Sequence, residues 1–197
     1  METKAEIPHM MLADRDLPAI VKAYFEFNHL KNLFRQGWLK RGISKERCES
    51  VAEHTFGMVV LTLFLTEAYF LELDADRAIR MALLHDFGEI YAGDIIPQDR
   101  INPDEKHQFE REAVLRVFSG LPDGKSYLAL WDEFEAGNSP EAQFVRQIDR
   151  LEMALQASVY EHTGYSDLQE FFDTADQAIL EPRLRQILDA IQVLHRK

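Results

Sequence analysis

Cysteine is almost absent from this chain, since Cys48 is the only one among 197 residues. An intrachain disulfide is therefore excluded, and the single thiol suits a reducing compartment. Residues 1–14 mix Glu, Lys, Pro and Met and lack the continuous apolar segment of a signal peptide. The best apolar run, residues 58–70, is interrupted by polar residues and falls short of the roughly 18 residues that a membrane span needs. We therefore expect a cytoplasmic protein without a membrane partner.

Basic residues are also scarce: 22 Lys and Arg stand against 34 Asp and Glu, which gives a formal net charge of −12 at pH 7. Proteins bind nucleic acids mainly through Lys and Arg on the phosphates, so the average field of this chain repels a polyanion. We expect no nucleic-acid polymer as a partner. A small phosphorylated substrate remains compatible, because one metal ion and one or two arginines reverse the potential inside a cleft.

Strand-like alternation of apolar and polar residues is missing, and apolar residues recur three and four apart instead. Capping residues precede several of these runs: Ser50 with Glu53 forms a capping box, and Asp74, Asn102 and Ser139 stand at similar starts. The predicted helices cover residues 17–33, 50–71, a segment after Asp74, 102–118, 141–162, 167–178 and 182–195. Residues 36–49 and 92–102 are expected to be irregular. The chain length fits one all-α domain over residues 1–197, with a core of about 17–172 and C-terminal helices over 173–197 packing on it.

Two histidines and several acids stand out against apolar surroundings. His85 and Asp86 are adjacent on a predicted helix between Met81 and Phe87, where an unpaired charge is costly to bury. The remaining candidates are His54 in the first turn of the preceding helix, Glu89 four residues after His85, Asp94 in the next loop, and Asp149 on a later apolar helix. Two imidazoles with carboxylates suit Mn²⁺, Co²⁺, Fe²⁺ or Zn²⁺ rather than Ca²⁺. Taken singly, a histidine in such a position is more often an ordinary core or surface residue than a metal ligand.

The order of these residues resembles a known pattern. His54, then His85-Asp86, then Asp149 reproduces the H…HD…D arrangement of the HD superfamily of metal-dependent phosphohydrolases. The strings "ESVAEHTFGM", "ALLHDFGEIYAGDI" and "EAQFVRQIDRLEMALQASVYE" are similar to the HD-domain 5′-deoxynucleotidase family. The flanking strings "RQGWLKRGI" and "WDEFEAGNSPEAQFV" resemble its eukaryotic-type branch. The resemblance covers roughly residues 30–172.

The resemblance implies a helical bundle around a divalent metal ion, which would be Mn, Co, Fe, Zn or Mg. The ligands would be His54, His85, Asp86 and Asp149. It implies hydrolysis of 2′-deoxyribonucleoside 5′-monophosphates to deoxynucleoside and phosphate, by a protein that is commonly a homodimer. A small-molecule nucleotide would thus be the substrate.

The resemblance also implies roles for residues around the metal. Glu89 would handle protons at the reacting phosphate, and Asp94 would arrange substrate and water. A second ion would be held by Glu89, Asp94 and the carbonyl of Ile95. The bulk of Trp38 would discriminate against a 2′-hydroxyl.

One position departs from the family pattern. Bacterial members have an arginine directly before the tryptophan, whereas this chain has Gly37. Arg35 or Arg41 would then supply the positive charge that holds the phosphate.

Three other functions stay open from the sequence. An HD phosphohydrolase for a triphosphate, a cyclic nucleotide or an alarmone would share the metal ligands and differ only in its pocket. A di-iron oxygenase of the same superfamily needs extra histidines between Asp86 and Asp149, where this chain has only His107. A non-catalytic metal-binding protein is the third, although all four ligands and both accessory acids are present.

Overall fold

A computed structural model describes residues 1–12 and 15–195, with side chains described as far as residue 191. Within these residues the chain forms helices and no sheet, apart from two isolated β-bridges, Thr3 with Leu33 and Phe34 with Ser50. The α-helices are α1 (Ala19–Phe27), α2 (Gln36–Lys40), α3 (Val51–Tyr69), α4 (Ala75–Leu84), α5 (Glu89–Ala92), α6 (Pro103–Phe118), α7 (Gly124–Ala136), α8 (Pro140–His162), α9 (Gln169–Ala178) and α10 (Pro182–His195). The all-α prediction is confirmed.

Side-chain caps begin the main helices where the sequence placed them. The Glu53 amide donates to the Ser50 hydroxyl at 3.3 Å while the Ser50 amide donates to the Glu53 carboxylate at 2.6 Å, which completes the capping box of α3. Asp74, Asn102 and Ser139 each accept a backbone N–H in the first turn of α4, α6 and α8. These caps satisfy donors that no helical carbonyl can reach.

Several predicted boundaries are corrected by the structure. The helix expected over residues 17–33 ends at Phe27 and continues as a 3-10 turn, Asn28–Lys31. His85-Asp86 does not lie inside a regular α-helix, because α4 stops at Leu84 and His85–Gly88 forms a tighter 3-10 turn. Such turns are frequent at helix ends, and this one changes the direction of the chain before α5.

Two helices were not predicted. The short helix α2 lies within the segment that was expected to be irregular. Helix α7 precedes Gly137, which adopts a left-handed conformation (φ 63°) suited to ending a helix. Its inner face buries Leu130, Trp131 and Phe134, so packing supplies most of its stability.

The core lies between α3, α4 and α8, and α7 packs on α4 and α8. Helix α8 is the longest, with 23 residues, and Ile148 and Leu151 on its inner face are wholly buried. Met58 of α3 and Trp131 of α7 are equally inaccessible. This arrangement brings the N-terminal turn of α3, the C-terminal end of α4 and the middle of α8 to one place.

Helix α3 is more apolar than the sequence reading allowed. Val51–Tyr69 is long and apolar enough to cross a membrane by length and composition, with 39% of the window buried inside the protein. Thr62 and Met58 on this helix are fully buried against the core. A core helix of a soluble protein meets the same criteria.

The C-terminal helices pack on α8, and α10 also contacts α9. Phe172 and Ala175 of α9, and Leu184 and Leu188 of α10, are fully buried. We propose that α9 and α10 are parts of the same cooperative domain as the core, as the sequence predicted.

This proposal predicts a large stability loss for Leu188→Ala. Removing a fully buried leucine should lower the free energy of unfolding by about 2–5 kcal/mol, because it leaves a cavity between α10 and α8. Chemical denaturation followed by far-UV circular dichroism measures this. Leu180→Ala is the matched control, since Leu180 is 78% exposed and its truncation should cost less than about 0.5 kcal/mol. Equal stability of the two variants would mean that α10 unfolds apart from the core.

Candidate metal centre and substrate cavity

The four predicted metal ligands converge from three parts of the bundle. His54 comes from the first turn of α3, His85 and Asp86 from the 3-10 turn after α4, and Asp149 from α8. His54 Nε2 lies 3.2 Å from Asp149 Oδ1, and His85 Nε2 lies 3.0 Å from Asp86 Oδ2. The ligand atoms of His54, His85 and Asp149 all lie within 4.8 Å of one another. Side chains that are up to 95 residues apart in the sequence therefore meet in one small region of the fold.

Hydrogen bonds behind the two imidazoles fix their orientation. His85 Nδ1 lies 2.8 Å from the carbonyl oxygen of Ala82. A carbonyl can only accept, so Nδ1 carries the proton and Nε2 presents its lone pair to the centre. His54 Nδ1 lies 2.5 Å from Glu152 Oε2, an equivalent outer partner. Histidine ligands of metals are typically held by such bonds.

The inward-facing atoms make no hydrogen bond that would explain their burial. His54 Nε2, His85 Nε2 and Asp86 Oδ2 are inaccessible and lack a hydrogen-bond partner in the described part of the chain. Unsatisfied buried polar atoms are costly and rare, so three of them facing one point indicate a missing positive centre. The donor set of two nitrogens and two carboxylates fits a divalent transition metal.

The electrostatics of His54 support the same conclusion. Burial and the nearby Arg35 lower the pKa of His54, but Glu152 and Asp149 outweigh them and raise its pKa to about 10. The ring therefore lies in a strongly negative environment. A cation next to His54 Nε2 would balance the negative charge of these carboxylates.

The carboxylates of the site have contrasting acidities. Burial would raise the pKa of Asp86, but His85 and Arg35 lower it to about 2. Burial acts on Asp149 in the same direction, yet Arg150 and His54 hold its pKa well below the ordinary value. Both are therefore ionised, as metal ligands must be.

Glu89 behaves in the opposite way. Burial, together with the charges of Asp86 and Asp94, raises the pKa of Glu89 well above its ordinary value. Its Oε2 is buried and has no hydrogen-bond partner among the described residues. The site thus combines ionised ligands with one carboxyl group that tends to keep its proton, a division suited to acid catalysis.

Most predicted site residues line one cavity of about 1010 Å³. All of them do so except His54, which lies fully buried behind it, and Arg41. The cavity is large enough for a nucleotide-sized ligand.

The structure separates the two arginine candidates. Arg35 Nη1 lies 3.7 Å from Asp86 Oδ2, and Asp94, Asp86 and Glu89 together raise the pKa of its buried guanidinium against the opposing effect of burial. Arg41 is instead bound by Glu170 of α9 through both carboxylate oxygens, and it is absent from the cavity lining. Arg41 is therefore paired with Glu170 and does not lie among the residues that line the cavity.

Trp38 forms part of the cavity wall and is only 2% exposed. Its ring lies against Phe171, with centroids 4.1 Å apart, and against Tyr160, at 5.2 Å. Its indole N–H donates to Glu49 Oε1 at 2.8 Å. The Asp94 carboxylate accepts the backbone N–H of Gln36, so it secures the start of the helix that carries Trp38.

Sequence reasoning missed several residues of the site. Glu152 follows Asp149 by three residues on α8, a spacing that places both on one helix face and could have revealed it. Trp131 of the unpredicted helix α7 donates to the His85 carbonyl at 3.0 Å. Lys106 and Arg150 bring positive charge to the cavity lining. His107 is exposed, yet it also lines the cavity and stacks on Trp131, with ring centroids 5.5 Å apart.

The comparisons with known proteins agree with this geometry. Residues 27–191 match the family model of the HD domain. The chain is 37% identical to human 5′-deoxynucleotidase HDDC2 over 167 residues, which is 83% of this chain and 79% of the human protein. It is 36% identical to the 5′-deoxynucleotidase hdd1 of Schizosaccharomyces pombe over 73% of this chain and 74% of that protein.

Solved structures show the same architecture. A protein of Pyrococcus horikoshii superposes with a TM-score of 0.73 at 31% identity, covering 87% of this chain and 97% of its own. A protein of Magnetospirillum magnetotacticum, described as a predicted metal-dependent phosphohydrolase, gives a TM-score of 0.68 at 30% identity over 88% and 93% of the two chains.

The fold and the site define a class: all-α proteins in which helices direct an H…HD…D set of side chains to one metal position. Within that class the chain belongs to the HD domain family, whose model it matches over most of its length. The predicted family is confirmed.

Replacing His85 or Asp149 by alanine should abolish tight metal binding. Each variant removes one of four donors to the same ion, so bound divalent metal should fall from about one ion per chain to a small fraction of that. Elemental analysis after dialysis against a weak chelator measures the content. His107→Ala is the matched control, because His107 lines the cavity but lies outside the donor group. Full metal content in both ligand variants would contradict the assignment.

Proposed function

We propose that this protein is a metal-dependent 5′-deoxynucleotidase, which converts 2′-deoxyribonucleoside 5′-monophosphates to deoxynucleoside and phosphate. One observation carries the proposal: His54 Nε2, His85 Nε2 and Asp86 Oδ2 are buried without a hydrogen-bond partner among the described residues, and His85 and Asp86 line the cavity. The relatives named 5′-deoxynucleotidase, with which the chain aligns over about four-fifths of its length, support the choice of substrate.

The reaction needs such a site because phosphate monoesters hydrolyse extremely slowly without a catalyst. A divalent ion held by His54, His85, Asp86 and Asp149 would neutralise phosphoryl charge and activate water. We propose Mn, Co, Fe, Zn or Mg as that ion. A second ion at Glu89, Asp94 and the Ile95 carbonyl is the alternative arrangement, in which Glu89 is ionised and does not supply a proton. These oxygen ligands suit a hard cation.

Arg35 is the residue that we propose to hold the phosphate. Its guanidinium is buried among the acids of the site and lines the cavity, where it offers a fork of donors to phosphoryl oxygens. Without positive groups, the surrounding carboxylates would repel the substrate dianion. Lys106 and Arg150 at the cavity wall add to the same local potential.

Glu89 and Asp94 are proposed as the catalytic acids. Glu89 would donate its proton to the 5′-oxygen as the P–O bond breaks, since an alkoxide is a poor leaving group. Asp94 would orient substrate and water. Its hydrogen bond from the Gln36 amide would also hold the helix that carries Trp38 in place. Trp38 would exclude a 2′-hydroxyl by its bulk.

The cellular setting follows the same proposal. We propose a cytoplasmic homodimer that acts on free nucleotides, without nucleic-acid polymers or membranes as partners. The net charge of −12 supports the exclusion of those partners, because it disfavours non-specific binding to polyanions and to anionic lipid surfaces.

Phosphate release from matched deoxyribo- and ribonucleoside monophosphates tests the proposal. Metal-stripped protein restored with Mn²⁺, Co²⁺, Mg²⁺ or Zn²⁺ should release phosphate from the deoxy set and far less from the ribo set. Activity in the absence of added metal should be close to background. Inactivity on both sets with metal bound would assign the site to another phosphate ester, such as a nucleoside triphosphate or a cyclic nucleotide.

Glu89→Gln should separate binding from chemistry. The amide keeps the shape of the side chain but cannot donate a carboxylic proton, so kcat should fall by about 10²–10⁴-fold with KM nearly unchanged. Steady-state kinetics with metal content checked in parallel measure this. Glu105→Gln, an exposed acid outside the cavity, is the control. Normal turnover in Glu89→Gln would remove Glu89 from the mechanism.

A further inference from the structure

The Trp38 ring is held on its faces by apolar contacts alone. Phe171 and Tyr160 lie against it, with centroid distances of 4.1 and 5.2 Å, and neither contact fixes the rotation of the indole in its own plane. Apolar attraction is non-directional, so these rings would tolerate a sliding or turned indole. To exclude a substrate that differs by one hydroxyl group, the indole ring must be held in one orientation, which the apolar contacts alone do not ensure.

A single directional contact supplies this constraint. The Trp38 indole N–H donates to Glu49 Oε1 at 2.8 Å, in a buried environment where Glu49 is 9% exposed. Glu49 is the acceptor that the structure gives this N–H, and a buried donor without an acceptor is costly.

The backbone of Glu49 is itself anchored at both of its polar groups. Its amide donates to the Tyr160 hydroxyl of α8 at 2.9 Å. Its carbonyl accepts the Arg35 amide at 3.1 Å, at the N-terminal boundary of α2. Glu49 therefore connects the helix that carries Trp38 with the helix that carries Asp149.

We propose that Glu49 is a positioning residue that fixes the Trp38 indole in the cavity wall and thereby sets the discrimination against a 2′-hydroxyl. This inference rests on the proposed deoxynucleotidase function. Glu49 does not line the cavity, so it acts on a bound substrate through Trp38. Its carboxyl also lies beside Glu152 and His54, so the wall and the metal centre share one buried network.

A comparison of the substrate selectivity of Glu49→Ala and Glu49→Gln tests the proposal. In the alanine variant the ratio of kcat/KM for a deoxyribo- over a ribonucleoside monophosphate should fall about tenfold, the effect of losing one buried hydrogen bond. The fall should come mainly from improved use of the ribonucleotide, with kcat for the deoxynucleotide largely kept. Glutamine retains an acceptor oxygen and should restore most of the ratio. Glu46→Ala, an exposed acid of the same loop, should leave the ratio unchanged.

A second readout does not depend on activity. The chain has two tryptophans, Trp38 and Trp131, so ¹⁵N-labelled protein should give two indole N–H signals, assigned with Trp38→Phe. Glu49→Ala should shift the Trp38 signal and speed its hydrogen exchange, while the Trp131 signal stays in place. Glu49→Gln should resemble the wild type.

The outcomes separate the two proposals. A wild-type enzyme without selectivity for deoxynucleotides overturns the proposed function, and with it the role of Glu49 in selectivity. A selective wild type whose ratio and Trp38 signal are unchanged in Glu49→Ala overturns the inference alone. Equal loss of activity on both substrates in Glu49→Ala, without rescue by glutamine, would also overturn it, because that is the result of general structural damage.

Discussion

The structure depends on the burial of several carboxylates around two imidazoles and one guanidinium. Asp86, Glu89, Asp94 and Asp149 surround Arg35, and His54 is held between Asp149 and Glu152. Burying so much like charge is unfavourable unless positive charge balances it. One arginine does not balance four acids, and the resulting field favours a divalent cation at this point. Neighbouring cationic groups lower the pKa of Asp86 and Asp149, whereas burial raises the pKa of Glu89.

The helices around this centre hold the donors by their outer hydrogen bonds. The His85 ring is oriented by its hydrogen bond to the Ala82 carbonyl, and the His85 backbone carbonyl accepts the Trp131 indole N–H. The His54 ring is oriented by its contact with Glu152. The regular helix α4 stops at Leu84, and His85 and Asp86 open the 3-10 turn that follows, with His85 Nε2 3.0 Å from Asp86 Oδ2. This part of the site therefore forms where the α-helix ends.

The cavity wall at Trp38 is built differently. The short helix α2 has five residues, too few for a stable helix in isolation, and tertiary contacts keep it in place. Asp94 binds its first amide, and aromatic side chains of α8 and α9 cover Trp38. A wall assembled from contacts to several elements can differ between family members while the metal ligands stay the same. This is the physical reason why one site architecture can serve different phosphate esters.

The sequence alone determined the all-α class and the capped starts of α3, α4, α6 and α8. Through the family resemblance it also predicted the metal-ligand group with Glu89 and Asp94, which the fold brings together. Caps such as Ser50 with Glu53 form between residues three apart, so local chemistry specifies them. The ligands were found through their order along the chain. Tertiary structure alone decided the rest. Glu152 binds the His54 ring across 98 residues of sequence, and Trp131 of α7 donates to the His85 carbonyl. Arg35 lines the cavity, whereas Arg41 is bound by Glu170 and does not. These choices depend on which distant side chain is nearest after packing, and no local pattern in the sequence contains that distance.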